Sequence, residues 1–270
     1  MVTVTDSRNV RIEFDVSPKR IVSLVPSLTE TIADLGCRDR IVGCTSFCEL
    51  PVGLIQGLEK SGGVIGGTKN PDIEAIRRLK PDVVFANREE NRRADVTKIE
   101  EFVPLHVSEP ADVDDVVHLI EDLGSMLEAN IEADKWNGRI SKAKETLNEL
   151  RSNAKPVRYV YLIWWNPAMV VGGNTYISHL LAEGPFLNAC EEMDRYPVMK
   201  LEDLAALGAD IIFGSTEPYD FNDNALNMVR NELGSKIQVA GIDGRICGWH
   251  GTRTAHALEY LRKLNEIGMG

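Results

Sequence analysis

Two stretches decide the fold: residues 72–86 read DIEAIRRLKPDVVFA, and residues 200–214 read KLEDLAALGADIIFG. Each places apolar residues at helical spacing, turns, passes through an aspartate and enters a short apolar run with the length and β-branched character of a buried strand. Glu74 falls opposite Glu202, Asp82 opposite Asp210 and Phe85 opposite Phe213. One helix–strand unit therefore occurs twice, and each copy is expected near the centre of its own lobe.

Around these copies the alternation continues. Ile21 to Leu24, Ile41 to Gly43 and Val83 to Ala86 read as buried strands, and Arg158 to Trp164 opens a second series, with Gly172-Gly173 as a turn. Ser27, three residues before Glu30, predicts a capping box at a helix start. Residues 2–14 alternate about Asp6-Ser7-Arg8-Asn9, as a hairpin does. Strands alternating with helices imply parallel sheets covered on both faces. Between the copies, Val113, Val116, Val117, Ile120, Leu123 and Leu127, then Ile131, Ile140, Ala143 and Leu147, keep helical spacing without an interrupting proline. The expectation is an α/β protein of two lobes, each with a central, mainly parallel sheet flanked by helices. The lobes comprise residues 1–110 and 154–270, joined by a long helical backbone over 111–153, with a ligand cleft between them.

The chain has 270 residues, 43% of them hydrophobic, and a formal net charge of −11. That charge argues against nucleic acid, which requires a basic face. No apolar run is long enough for a membrane span, and the start MVTVTDSRNVRIEF lacks the basic and apolar regions of a leader. Five cysteines without a disulfide-like pattern suit a reducing compartment. The protein is therefore expected in the cytoplasm, or outside it if a leader has been removed. It is expected to be a monomer that is not embedded in a membrane.

In parallel α/β sheets ligands bind beyond the carboxyl ends of strands. The residues that follow each expected strand therefore nominate the contacts: Ser27, Phe47, Cys48, Lys69, Asn70, Arg88 and Glu90 in the first lobe, and Trp164, Trp165, Tyr219, Phe221, Trp249, His250 and Arg253 in the second. Aromatic faces beside cations suit a bulky ligand carrying polar groups. Trp164 and Trp165 are adjacent, so they point to opposite faces and one of them lines the site. The run Asn87-Arg88-Glu89-Glu90-Asn91-Arg92-Arg93 is either a solvated helix start or a polar wall preset by internal ion pairs. Gly66-Gly67-Thr68-Lys69 lacks the spacing of a phosphate loop. Cys44 and Cys48 have no further ligands at metal-site spacing, so no metal is expected. A rival reading makes Cys48 and His250 a thiolate–imidazole pair in an enzyme or metal-handling protein that reuses the cleft.

The segments KRIVSLVPSLTETIADLG (19–36), VGCTSFCELP (42–51), DIEAIRRLKPDVVFA and WWNPAMVVGGNTYI (164–177) together resemble the helical-backbone receptor family, the cobalamin-, haem- and iron-siderophore-binding proteins of ABC importers. The resemblance runs from residue 18 onward and is most similar in its cobalamin-binding members. It implies a binding protein rather than an enzyme, with no cofactor required and cobalamin or a related corrinoid as ligand; an iron chelate, siderophore or haem, is the alternative. It also implies that Glu74 and Glu202 dock onto arginines of a two-fold symmetric ABC permease, although a glutamate in a first helical turn also suits the helix dipole. Thr68 and Val198 stand where the cobalamin receptors carry aromatic residues, and Phe47 keeps a third such place. GGTKNPD, ANREENRR, EPYDF and WHGTR look like a standalone branch without leaders.

Overall fold

The computed structural model describes residues 1–234 and 237–267, so the last residues of the expected second lobe, 268–270, lie outside the described residues. The chain forms two compact units. Unit 1 holds Met1–Pro110, Asp114–Gly138 and His250–Arg253; unit 2 holds Ala111–Val113, Arg139–Trp249 and Thr254–Gly270. Residues 250–253, assigned by sequence to the second lobe, thus belong to unit 1.

Unit 1 opens with the expected hairpin, β1 (Val2–Thr5) and β2 (Arg11–Phe14), antiparallel. Asp6 explains why that turn is ordered. Its buried carboxylate accepts from the backbone N–H groups of Arg8, Val10 and Val107 and from the Arg8 guanidinium. These bonds hold it below the usual carboxylate range against the opposing effect of burial. β3 (Ile21–Ser23), β4 (Ile41–Cys44), β7 (Val83–Asn87) and β8 (Leu105–Ser108) form a parallel sheet in the order β4-β3-β7-β8. Between β4 and β7 lie α2 (Leu54–Glu59), a small hairpin of β5 (Gly66–Gly67) with β6 (Asn70–Pro71), and α3 (Ile73–Leu79). β7 is buried along its whole length, as its unbroken apolar run requires. α1 (Pro26–Ile32) follows β3, and α4 (Arg93–Glu100) follows β7.

The expected capping box is not formed. Val25 precedes α1 without a side-chain cap, Pro26 takes the first turn, and the Glu30 carboxylate is engaged by Arg253 instead.

The helical stretch after β8 is two helices, α5 (Val113–Met126) and α6 (Asn130–Asn153), not one. Glu128 takes a left-handed φ of 54° between them. Gly124 is the reason the pieces fit: a Cβ there would lie 2.6 Å from that of Ala133. Periodicity did not mark the break because Leu127, fully buried at the corner, keeps the apolar spacing. Ile131, on the expected apolar stripe, is exposed.

In unit 2, β9 (Val157–Trp164) is central to a six-stranded sheet. It pairs in parallel with β11 (Phe186–Asn188) and β13 (Ile211–Ser215), and β13 with β14 (Gln238–Ile242). β10 (Ala168–Val170) runs antiparallel to β9, and β12 (Val198–Met199) antiparallel to β10. The helices are α7 (Tyr176–Ala182), α8 (Leu201–Ala206), α9 (Asp223–Leu233), α10 (Gly244–Gly248) and α11 (Arg253–Ile267). The α/β class with two mainly parallel sheets is as expected. Gly172 and Gly173 are not a turn: a Cβ at Gly173 would sit 1.9 Å from the Glu191 carbonyl, and one at Gly172 2.3 Å from that of Met193, so both are needed for close backbone approach.

The two copies of the repeat are realised as α3–β7 and α8–β13. Each is fastened in the same way. Asp82 accepts from the backbone N–H of Lys19 and Arg20 at 2.7 and 2.8 Å, and Asp210 from that of Arg158 at 2.8 Å. The Arg20 guanidinium donates to the carbonyls of Leu79 and Lys80 at the end of α3, and that of Arg158 to Leu207 at the end of α8. In register, Ile21 pairs with Val83 and Tyr159 with Ile211.

Candidate functional site

The carboxyl ends of β3, β4 and β7 bring together one edge of unit 1. Phe47, in the turn after β4, is 59% exposed and packs against Gly67, where a Cβ would stand 3.1 Å from its ring. Lys69 at the tip of the β5–β6 hairpin donates to the Glu89 carbonyl, and Asn70 beside it is exposed. Arg88 pairs with Glu109 at 2.6 Å rather than within its own charge run. Glu90 is exposed, its N–H bonded to Asn87 Oδ1 at 3.2 Å.

The organiser of this edge is Asn91, which the sequence reading placed only within a charge run and not among the named contacts. It is buried and donates to the Leu24 carbonyl at 3.4 Å and the Thr68 carbonyl at 2.9 Å, while its Oδ1 accepts from Asn87 N–H at 2.8 Å. One side chain thereby ties the ends of β3 and β7 to the β5–β6 hairpin. Its signal was an asparagine pair, Asn87 and Asn91, spaced four apart after a buried strand.

Four nominated contacts of this unit lie inside it instead of on this surface. Ser27 is buried in α1, its carbonyl accepting from Thr31. Cys48 is 1% exposed and bonded to Thr29 and Thr45; the imidazole of His250 is not among its partners. His250 is buried, and burial pushes its pKa down to about 4, so it is neutral. Arg253 clamps Glu30 through two bonds at 2.8 and 2.9 Å, with 13% of its side chain exposed. Thr252 adds bonds to Asp34 and, through its N–H, to Thr31. Gly251, at φ +95°, makes this clasp possible: a Cβ would meet Thr31 Oγ1 at 2.0 Å.

Unit 2 presents aromatic rings at the ends of β9 and β13. Trp164 is 41% exposed and stands edge-on to Tyr219 at 5.4 Å; Tyr219 meets Phe221 at 4.8 Å. The row descends into the core, where Phe221 and Trp165 join Leu162, Ile212 and Leu226. The adjacent tryptophans do point to opposite faces, one out and one in, as strand geometry demands. Trp249 carries the Arg245 guanidinium 5.8 Å from its ring, and Arg245 is fixed by Glu217 at 2.6 Å. Arg245 was not nominated, because its pair with Glu217 joins residues 28 apart that only the sheet brings together. Val198 is 59% exposed.

Among the described residues, no three of His, Cys, Asp and Glu gather where they could hold a metal ion, and no helix is long and apolar enough to cross a membrane. What the edges offer is recognition: exposed rings, amides and paired cations held by buried hydrogen bonds.

Comparison with known proteins agrees. The chain is 27% identical over 223 residues to the uncharacterized ABC transporter substrate-binding lipoprotein YvrC of Bacillus subtilis, covering 78% of this chain and 68% of that one. It is 25% identical over 229 residues to the cobalamin-binding protein of Halobacterium salinarum, again over 78% of this chain but spanning only 58% of the relative's length. Its fold matches the crystal structure of the periplasmic vitamin B12 binding protein BtuF of Vibrio cholerae with a TM-score of 0.74 and 20% identity, over 93% of this chain and 98% of that one. The expectation of a cytoplasmic protein is corrected by these matches, since the Bacillus relative is named a lipoprotein and the Vibrio protein periplasmic, which points outside the cytoplasm. The expected receptor family is met. The family model for periplasmic binding proteins matches residues 21–250, from the first strand of the parallel sheet to the clasp, so the chain belongs to the periplasmic binding protein family and is a substrate-binding protein rather than an enzyme.

Proposed function

We propose that this substrate-binding protein takes a cobalamin or related corrinoid as its ligand. One observation carries the reading: each unit presents, at the carboxyl end of its parallel strands, an aromatic ring left substantially in water, Phe47 in unit 1 and, in unit 2, Trp164 edge-on to the partly buried Tyr219. Large apolar faces exposed beside ordered polar groups mark recognition surfaces for bulky ligands. Lys69, Asn70, Arg88 and Glu90 are the polar contacts proposed for unit 1, and Trp249 with Arg245 those proposed for unit 2. The names of the matched relatives, cobalamin-binding and vitamin B12 binding, support the same ligand class.

Calorimetric titration with cyanocobalamin, cobinamide, haem and a ferric siderophore tests this. The expected outcome is corrinoid binding at micromolar strength or tighter, about −8 kcal/mol. Binding of haem or the siderophore alone replaces the corrinoid with an iron chelate. If none binds more tightly than roughly millimolar, near −4 kcal/mol, the ligand reading fails.

The same reading gives Glu74 and Glu202 a partner. Both stand in the first turn of equivalent helices, α3 and α8, and both are exposed. They are the matched pair of surface acids at the repeat's two helix starts, suited to a two-fold symmetric permease bearing arginines. E74A and E202A are expected to leave ligand affinity unchanged and to abolish ligand-dependent stimulation of ATP hydrolysis by the cognate importer in proteoliposomes.

A further inference from the structure

We infer that unit 2 holds a second ligand pocket, at the end of its sheet opposite the aromatic rim, and that it takes a free amphipathic carboxylate, an apolar chain with an anionic head. The pocket has a volume of about 720 Å³. Its lining includes Val157, Ile211 and Gln238, the first residues of β9, β13 and β14, together with Tyr260 and Leu264 of α11. Trp164 of the rim is the last residue of β9.

Strand register explains why the space is there. Residues paired across parallel strands point to the same face of the sheet. Tyr161, Phe213 and Ala240 form one such row, and Tyr159, Ile211 and Gln238 form the next row toward the amino ends. The first row passes from two rings to a single methyl group at the edge strand, and Gly241 beside it adds no side chain. Phe213 is held in its own row by Tyr159 and Phe186, whose rings lie 6.1 and 6.2 Å away, so the place beside Ala240 stays open. Tyr260 is fixed as well, its hydroxyl accepting from the Asp243 N–H at 3.3 Å. A hollow of several hundred Å³, mainly apolar with a few polar groups, has the form of a small-molecule site.

The lining sets the ligand class. Phe186, Phe213, Ala240 and Leu264 match an apolar chain, whose burial supplies the affinity. Two cations share the lining: Lys155, in the turn before β9, and Lys263 of α11. Both are exposed, and neither has an ion-pair partner among the described residues. The acid of the lining, Asp210, already accepts from the Arg158 N–H at 2.8 Å. In a chain of net charge −11, ammonium groups left unpaired beside an apolar hollow select a negative head.

Calorimetry with dodecanoate below its micellar concentration tests this, with dodecyltrimethylammonium as the cationic control. Dodecanoate is expected to bind once per chain with a Kd below about 0.1 mM, and the cation about tenfold more weakly. The double variant K155A/K263A should weaken dodecanoate about tenfold; both side chains are exposed, so the fold is kept. A240L, which fills the hollow, should abolish binding, and if it does not fold, the lysine variant and the cationic control decide. Dodecanoate binding weaker than that Kd, several dodecanoates per chain, equal binding of the cation, or full affinity in K155A/K263A would overturn the proposal. The titration needs no corrinoid and the variants leave the rim untouched, so its failure and a failed corrinoid titration are separate results.

Discussion

The two copies of the helix–strand repeat share a frame and differ at their rims. In both, an aspartate at the strand entrance grips the backbone of the neighbouring strand, and an arginine from that strand caps the preceding helix. Beyond the carboxyl ends the likeness stops. Unit 1 builds its rim from asparagine, lysine and arginine around one ring, Phe47, whereas unit 2 builds its rim from a row of rings, Trp164, Tyr219 and Phe221. Interior geometry is therefore held constant while recognition chemistry is free to diverge, because the rim side chains take no part in the Asp82 and Asp210 fastenings.

The hardest test of the shared frame is the buried phenylalanine. Phe85 packs on His106 at 5.9 Å, and Phe213 packs between Tyr159 and Phe186 at 6.1 and 6.2 Å. F85A and F213A should each cost about 3–5 kcal/mol, and hydrogen exchange should place the loss in the unit that carries the change. An effect spread equally over both units would break the comparison.

Acid should separate the units next. Unit 1 buries two histidines, His106 and His250, each with its pKa lowered by burial from 6.5 to about 4; unit 2 has His179 and His256, both exposed. The unfolded chain takes up these protons as pH falls through 6.5, while the folded unit refuses them until about 4. Stability is therefore full above 6.5 and declines between those values, by about 3 kcal/mol for each group. Urea denaturation at pH 7 and 5 should show unit 1 losing ground first. H106F should flatten its slope, and should not weaken it at pH 7, because His106 Nδ1 is buried without a hydrogen-bond partner among the described residues.

The aspartates sharpen the frame itself. Asp82 accepts two backbone bonds from the neighbouring strand and Asp210 accepts one. D82A is expected to cost about 2 kcal/mol and D210A about 1 kcal/mol by chemical denaturation; equal costs would show that the guanidinium, not the carboxylate, is the fastening. At the rims, F47A and W164A should each weaken corrinoid binding about tenfold, near 1.4 kcal/mol, with little loss of stability. W165A should instead unfold unit 2 more readily, since that ring belongs to its core.

Much of the frame was legible because it is local. The repeat, the hairpin around Asp6 and the opposite facing of Trp164 and Trp165 follow from spacing alone. What escaped involved partners far apart in the chain. Glu30 resembled half of a capping box because Arg253, 223 positions away, is invisible to local pattern. His250 and Arg253 looked like rim residues since they follow a strand and a short helix, yet the chain there returns to unit 1. The corner at Leu127 escaped because burial, which periodicity reports, continues through it. Asn91 was hidden by its charged neighbours. The compartment was misjudged from cysteine number and chain start, neither of which records where relatives operate.

The Gly251 clasp also has a consequence for biosynthesis. Four residues of unit 1, 250–253, are made only after Arg139–Trp249 of unit 2. Met1–Pro110 and Asp114–Gly138 can collapse during translation, but Glu30, Thr31 and Asp34 wait for their partners until that stretch of unit 2 exists. The unit begun before most of the other is latched after it, so a ribosome stalled before residue 250 holds an unlatched one.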